Sequence, residues 1–351
     1  MQNTWAGIGT ERFKPLKLTL KSVMIEKTST RNIPIDTLRG IACIMLVAYH
    51  VIGISPESGL RLSEGLLKDT NEMFAYIRMP LFTFLSGLVY GWRPFAGTWK
   101  AFMNGKIQRL IIPMLFVGTG FAILQAVTPG TNNPIEDWKY LHIKPVAHYW
   151  FIESLFIIFL IILALEHFKV LATRRGFALA YLGSVTAFLS NIGTIWFSLA
   201  GVFYLLPYFL AGLYCTRFPL KFKYSQITGF IIIIVTVLFL ILYSQQYIDD
   251  RRSFLALFVG TVACIALLLT QSRSEWLASI GYYSYSIYLF HVFFTAAARI
   301  GLMHIGVSDI TFLFLAGTAA GITGPILTET LANKHNLLRT TLLGKKPLPK
   351  N

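Results

Sequence analysis

The chain has few charged residues, and the shortage is greatest among the acidic ones. Only 13% of its 351 residues are Asp, Glu, Lys or Arg, about half the share of an ordinary soluble domain. Acidic residues number 16 against 31 Lys and Arg, which leaves a net charge of +15. Hydrophobic residues make up 55% of the chain. This composition excludes a soluble globular protein and indicates a membrane protein with a basic surface.

Cysteine is also scarce, and no cleavable signal peptide is visible. The three cysteines, Cys43, Cys215 and Cys264, lie in or at the ends of apolar segments, with neither CxxC spacing nor an even number. We interpret them as packing residues and predict no disulfide and no metal site. A polar, basic stretch of about 33 residues precedes the first apolar run. That run is itself too long to be the hydrophobic region of a signal peptide. We expect that run to be a signal anchor.

Long apolar runs, by contrast, are abundant. A run of about 17–25 residues is long enough to cross a hydrocarbon core of roughly 30 Å. Such runs lie near residues 34–55, 73–92, 108–127, 149–167, 177–192, 195–215, 226–244, 253–271, 281–302 and 308–331. We therefore predict an all-α, polytopic integral membrane protein with about ten transmembrane helices, of which the fifth is the shortest.

The basic residues predict the orientation of these helices. With a cytoplasmic N-terminus, 22 Lys and Arg residues fall in inner segments and 7 in outer ones. This bias places both termini in the cytoplasm, with a cytoplasmic N-terminal segment (1–33), a membrane domain (34–331) and a cytoplasmic C-terminal tail (332–351). A basic inner face attracts anionic lipid, so the net charge requires no nucleic acid as a partner.

Ionisable side chains inside apolar runs are costly in a membrane, so each of them is a hypothesis of function. Arg39 and His50 stand eleven residues apart in the first run. Eleven residues are close to three helical turns, so both side chains project from one helix face about 16 Å apart. The alternatives are an Arg that extends to the lipid head groups and a His that is hydrogen-bonded within the bundle.

By depth, the polar residues of the runs form two layers. The predicted inner layer contains Arg39, Lys106, Arg109 and Glu329. The predicted outer half contains His50, Arg78, Glu153 and, nearer the midplane, His291. Inner cations suit a phosphate-bearing cytosolic ligand. A neutral imidazole in the outer layer suits a base that takes a proton from a hydroxyl near pH 7.

Several short motifs accompany the Arg39 and His50 pair in a fixed order along the chain. They are MPLFTFLSGL at 79–88, KIQRLIIP at 106–113, WFIESLF at 150–156, LPYFLAG at 206–212 and SYSIYLFH at 284–291. In their order and spacing, from about residue 31 to 340, they resemble the acyltransferase 3 family. Members of that family are membrane enzymes that move acyl groups, usually acetyl, from cytoplasmic acyl-CoA to extracytoplasmic sugars.

The resemblance implies roles for particular residues. It implies that His50 serves the transfer chemistry, that Arg39 supports it, and that Arg109 helps to hold the phosphates of CoA. The family often has Arg where this chain has Lys106, which keeps the charge but loses the bidentate fork. We expect Arg78 or Arg39 to stabilise the oxyanion of the reaction. No permanently bound cofactor is expected, and acetyl-CoA is the expected co-substrate.

Four further residues are candidates for binding the acceptor: Glu153, Trp150, His291 and Ser86. Each has a structural alternative. Ser86 precedes a glycine and suits close helix packing, Trp150 suits an interfacial aromatic belt, Glu153 suits a pair with Arg78, and His291 suits a hydrogen-bonded core histidine. No role is expected for the histidines in loops or at span ends, which are His142, His148, His167, His304 and His335.

Three classes of function remain open from the sequence. We expect an O-acetyltransferase of the inner membrane that acts on a cell-surface glycan or lipid-linked sugar, such as lipopolysaccharide, capsule or exopolysaccharide. A transporter or flippase is the alternative, although the clear internal symmetry and broken midplane helices common in such proteins are missing from the apolar runs. A sensor or scaffold would leave Arg39, His50 and Arg78 without a purpose.

Overall fold

A computed structural model describes residues 31–349, apart from 54, 56–57, 129–134, 136, 219–224 and 248–250, and at 243–247 it describes the backbone alone. The residues from Ile33 onwards form one compact unit. Nearly all of the predicted N-terminal segment, 1–33, lies outside the described residues.

The described part of the chain is helical and contains no β-strand. Its α-helices, in chain order, are α1 (Ile33–Ile52), α2 (Leu66–Met73), α3 (Ala75–Trp92), α4 (Trp99–Lys106), α5 (Ile112–Val127), α6 (Trp150–His167), α7 (Arg174–Leu189), α8 (Leu199–Arg217), α9 (Ser225–Tyr247), α10 (Phe254–Thr270), α11 (Glu275–Tyr282), α12 (Ser284–His304), α13 (Ile310–Ala332) and α14 (Asn336–Thr341). A π-helical turn, Ile107–Ile111, joins α4 to α5. The prediction of an all-α protein is confirmed.

Every predicted apolar run overlaps a helix, but the helices differ in length. Eight helical stretches of the described residues are long and apolar enough to cross a membrane. The helix α10 has 17 residues and α7 has 16, so both fall short of that length. The structure therefore supports a polytopic membrane protein, while the count of about ten spans and the orientation of the termini stay predictions.

The helices α3 and α8 approach each other closely through glycine. A Cβ atom at Gly87 would overlap the carbonyl oxygen of Phe209, and one at Gly212 would overlap the carbonyl oxygen of Phe84. Small residues of this kind let two helix backbones come together where lipid provides no hydrophobic driving force. This contact fixes α3, which holds Arg78, against the centre of the bundle.

The first helix is fixed in the same way against α11. A Cβ atom at Gly40 would overlap the carbonyl oxygen of Leu277, and one at Gly281 would overlap the carbonyl oxygen of Asp36. The two contacts are reciprocal, since each glycine faces the backbone of the other helix. The position of α1, which holds both Arg39 and His50, is therefore set by backbone contact rather than by long side chains.

The C-terminal residues pack on the bundle. Leu343 is buried in the same hydrophobic cluster as α5 and α6. Gly344 has a φ of 61° and lies against the backbone of Gln108 and Arg109. What the sequence predicts as a cytoplasmic tail therefore contains a short helix, α14, and a segment that contacts the start of the third predicted span.

Candidate functional site

Three imidazole rings from distant parts of the chain meet at one place. His50 lies in the last turn of α1, His148 in the 3-10 turn Ala147–Tyr149 that leads into α6, and His291 in α12. Their ring centroids are 4.8 Å apart for His50 and His291, 4.9 Å for His148 and His291, and 5.6 Å for His50 and His148. We call these three residues the imidazole cluster.

The backbone of α12 orients the ring of His291. Its Nδ1 lies 2.8 Å from the carbonyl oxygen of Ile287 and 3.0 Å from that of Tyr288. Both neighbours are acceptors, so we assign the proton to Nδ1 and a free lone pair to Nε2. That Nε2 is buried and has no hydrogen-bond partner. His291 therefore presents a proton acceptor to the cluster.

Two tyrosine hydroxyls tie the turn that holds His148 to α12. Tyr288 donates to the carbonyl oxygen of His148, and Tyr149 donates to the carbonyl oxygen of Leu289 at 2.8 Å. The side chain of His148 is held mainly by packing, because neither of its ring nitrogens makes a hydrogen bond of ordinary geometry. From the sequence we expected no role for His148, since it lies in a loop just before an apolar run, but the structure places its ring against those of His50 and His291.

The guanidinium of Arg78 lies beside this cluster and is 2% exposed. It donates through Nη2 to the carbonyl oxygen of Asn71 at 2.9 Å. Its Cζ is 3.8 Å from the ring centroid of Tyr49, which in turn is 5.0 Å from that of His50. Its Nε and Nη1 have no partner. The expected alternative, a pair between Glu153 and Arg78, is not formed.

Glu153 is instead hydrogen-bonded to the start of α8. Its Oε2 accepts from the hydroxyl of Ser198 at 2.5 Å, while its Oε1 is buried without a partner. Ser154 donates to the carbonyl oxygen of Ser198 at 2.9 Å. Phe197 and Ser198 have φ values of 52° and 53°, a left-handed conformation that costs on the order of 1–3 kcal/mol per residue and is concentrated at functional sites.

Trp150 and Ser86 have structural partners. The ring of Trp150 packs on Gly201, where a Cβ atom would lie 2.7 Å from the ring. The hydroxyl of Ser86 donates to the carbonyl oxygen of Phe82 in its own helix at 2.8 Å. The neighbouring Gly87 makes the contact with α8 described above. The geometry therefore favours helix packing for Ser86.

Unpartnered polar atoms are concentrated around His50. Eight described residues have buried side-chain nitrogen or oxygen atoms without a hydrogen-bond partner. Three of them, Arg78, His148 and His291, lie around His50. Buried polar groups are normally hydrogen-bonded, so we treat this concentration as a candidate binding site for a polar ligand.

A small pocket lies beside Arg78. It has a volume of about 30 Å³, and its lining includes Tyr49, Asn71, Lys68 and Arg251. Tyr49 and Asn71 both contact the guanidinium of Arg78. The pocket therefore adjoins Arg78 and has room for little more than a water molecule.

Arg39 lies at the opposite end of α1. Its Nη1 is 3.2 Å from Oδ1 of Asp36, and its side chain is 31% exposed. Eleven residues of helix separate it from His50, about 16 Å along the axis. The structure therefore does not bring Arg39 to the imidazole cluster.

A second group of cations lies around the π-helical turn Ile107–Ile111. The ammonium of Lys106 is 3.4 Å from the ring centroid of Phe159, while Arg109 is exposed. A π-helical turn is rare, and such turns frequently occur at functional sites. Lys106 and Arg109 thus lie together on one short segment.

The inner acidic residue of the prediction, Glu329, is fully engaged. Its Oε1 is 2.5 Å from the ammonium of Lys345, and its Oε2 accepts from the hydroxyl of Ser286 at 2.5 Å. Lys345 directly follows Gly344, which touches Arg109. The C-terminal segment therefore adds a cation to this end of the bundle, which the sequence did not predict.

The described residues contain no group of three or more His, Cys, Asp or Glu arranged to hold a metal ion. The comparison with known families settles the class of protein. A family model described as an acyltransferase domain matches residues 32–330. The chain belongs to the acyltransferase 3 family. No curated protein and no solved structure matches it significantly.

Family membership confirms the resemblance seen in the sequence motifs and makes this acyltransferase a membrane enzyme. Of its candidate residues, His50, Arg78 and His291 are together, while Glu153 lies on α6 and is hydrogen-bonded to Ser198. Lys106 and Arg109 are together elsewhere, and Arg39 is with neither group. The roles of all these residues stay predictions.

Proposed function

We propose that this acyltransferase moves an acetyl group from cytoplasmic acetyl-CoA to a hydroxyl of a cell-surface carbohydrate at the inner membrane. One observation carries the proposal: His50 lies among buried nitrogens without hydrogen-bond partners, beside the guanidinium of Arg78. Acyl transfer to a hydroxyl requires a base next to a cationic group that donates hydrogen bonds.

On the donor side, Lys106 and Arg109 bind the phosphates of CoA. Lys106 acts as a point charge and Arg109 as a bidentate fork. The acyl-bearing arm then extends along α12 past Tyr285, whose buried hydroxyl has no partner. Tyr285 and His291 are six residues apart, about 9 Å along the helix. This path joins the two groups of candidate residues.

On the acceptor side, His50 takes the proton of the sugar hydroxyl as its oxygen attacks the acyl carbon. Arg78 stabilises the oxyanion that develops there, since its Nε and Nη1 are buried and unpartnered. The bond from carbon to sulfur then breaks, and the thiolate of CoA receives the proton. Arg39 is about three helical turns from His50, so we assign the stabilisation of the oxyanion to Arg78 alone.

The test is the His50→Ala variant in a membrane preparation supplied with labelled acetyl-CoA and glycan. Removal of a general base typically costs about 10²–10⁴-fold in rate, so acetylation should fall below detection while the protein level stays normal. His304→Ala, at the exposed end of α12, is the matched control. Normal acetylation by His50→Ala would overturn the mechanism, and glycan transport without consumption of thioester would favour the transporter or flippase.

A further inference from the structure

His148 is buried at a cost that its packing does not explain. Its side chain is 7% exposed, and neither Nδ1 nor Nε2 makes a hydrogen bond of ordinary geometry, although the backbone of Tyr288 and Leu289 lies close to the ring. Burial of a polar group without a partner costs about 1–3 kcal/mol in proteins. An apolar side chain of similar volume would fill the same space without that cost.

The neighbours of His148 are mostly aromatic, with two exceptions. Phe121, Tyr149 and Tyr288 surround the ring at centroid distances of 5.9, 4.1 and 5.5 Å. The exceptions are the rings of His291 at 4.9 Å and His50 at 5.6 Å. The ring of His148 therefore lies next to two other rings that can take up a proton.

Three imidazoles this close in a buried site do not all carry charge. A second imidazolium within about 6 Å of the first is disfavoured by like-charge repulsion and by desolvation. The cluster therefore contains at most one imidazolium, which is one proton more than three neutral rings hold. Interacting groups of this kind titrate as a unit and not as separate residues.

We propose that His148 is a second proton carrier of this site, which shares with His50 the single proton of the transfer reaction. The inference rests on the proposed function. The O–H bond of the acceptor breaks and its proton goes to His50; His148 shares that proton while the new O–C bond forms. When the C–S bond breaks, the proton passes from the cluster to the thiolate sulfur of CoA. The cluster thereby regains its starting protonation state.

The test compares His148→Leu with His148→Gln. Leu is close to His in volume and removes both buried nitrogens, whereas Gln keeps a donor and an acceptor but carries no proton. Both variants should lower kcat by about 10²-fold with unchanged KM for donor and acceptor. His148→Leu should have an unchanged or higher melting temperature, because it removes unpartnered buried polar atoms.

His142→Gln is the matched control: His142 is also a loop histidine, half-buried, with one buried nitrogen that has no partner, and the variant should keep the wild-type kcat. If His148→Leu does not fold, His148→Gln provides the kinetic test alone.

Three results would overturn the inference. Normal kcat in His148→Gln would show that hydrogen bonding alone is needed, and normal kcat in His148→Leu would show that His148 only packs. Loss of activity together with a lower melting temperature in both variants would show a structural role. If both the wild type and His148→Leu transfer acetyl groups at a normal rate, only this inference is refuted. If the wild type transfers no acetyl group, the proposed function is refuted as well.

Discussion

Replacement of Arg78 by Met should separate stability from catalysis. The variant loses a charged hydrogen bond to Asn71, worth about 1.5–3 kcal/mol, and a cation–π contact with Tyr49, worth about 0.5–2 kcal/mol. The variant is also relieved of the desolvation cost of a buried charge, which is several kcal/mol in the wild type. These terms are of similar size and opposite sign, so the melting temperature should change little.

The effect on catalysis should be much larger. Loss of a donor that stabilises an oxyanion costs about 2.7–4 kcal/mol, or 10²–10³-fold in kcat. The assay is the initial rate of acetyl transfer at saturating donor and acceptor, with the melting temperature measured in the same detergent. Arg175→Met, at an exposed site at the start of α7, is the control. A folded Arg78→Met protein with nearly wild-type kcat would refute our assignment of the oxyanion.

Four further predictions follow from the described residues. Arg109→Ala should raise the KM for acetyl-CoA far more than that for the glycan, because a phosphate contact made throughout the reaction is uniform binding; equal effects would mean a structural role. An impermeant thiol reagent should label cysteine at Ser63 but not at Asn104, both exposed, and the reverse pattern would exchange the donor and acceptor sides. Gly344→Val, at a φ of 61° beside a carbonyl oxygen, should lower stability by about 1–3 kcal/mol, measured as a fall in melting temperature; no change would show that the C-terminal segment does not contribute. Burial lowers the pKa of His142, so the unfolded chain takes up its proton first as the pH falls through about 6.5 and folded stability declines there; His142→Asn should make the fall of the melting temperature below about pH 6.5 less steep, and an unchanged slope would contradict this.

The sequence predicted the helices well because apolar runs of membrane length have few other solutions. It also predicted that His50, Arg78 and His291 share one layer, since depth along a span follows from residue number. It did not predict His148, because the place of a loop residue depends on how the chain folds back and not on its own periodicity. The structural alternative for Glu153, a pair with Arg78, is not formed for a similar reason: the left-handed turn at Ser198 places a hydroxyl donor beside Glu153.

The contact between Lys345 and Glu329 has a consequence for how the protein is made. Translation proceeds from the N-terminus, so Lys345 leaves the ribosome after all the helices from α1 to α13. The three rings of the imidazole cluster lie on or before α12, whereas Lys345 joins Glu329 only from a later segment. A nascent chain therefore contains all three rings before Lys345 is made, and a nonsense codon directly after α13 would remove Lys345 while leaving the three rings in the chain.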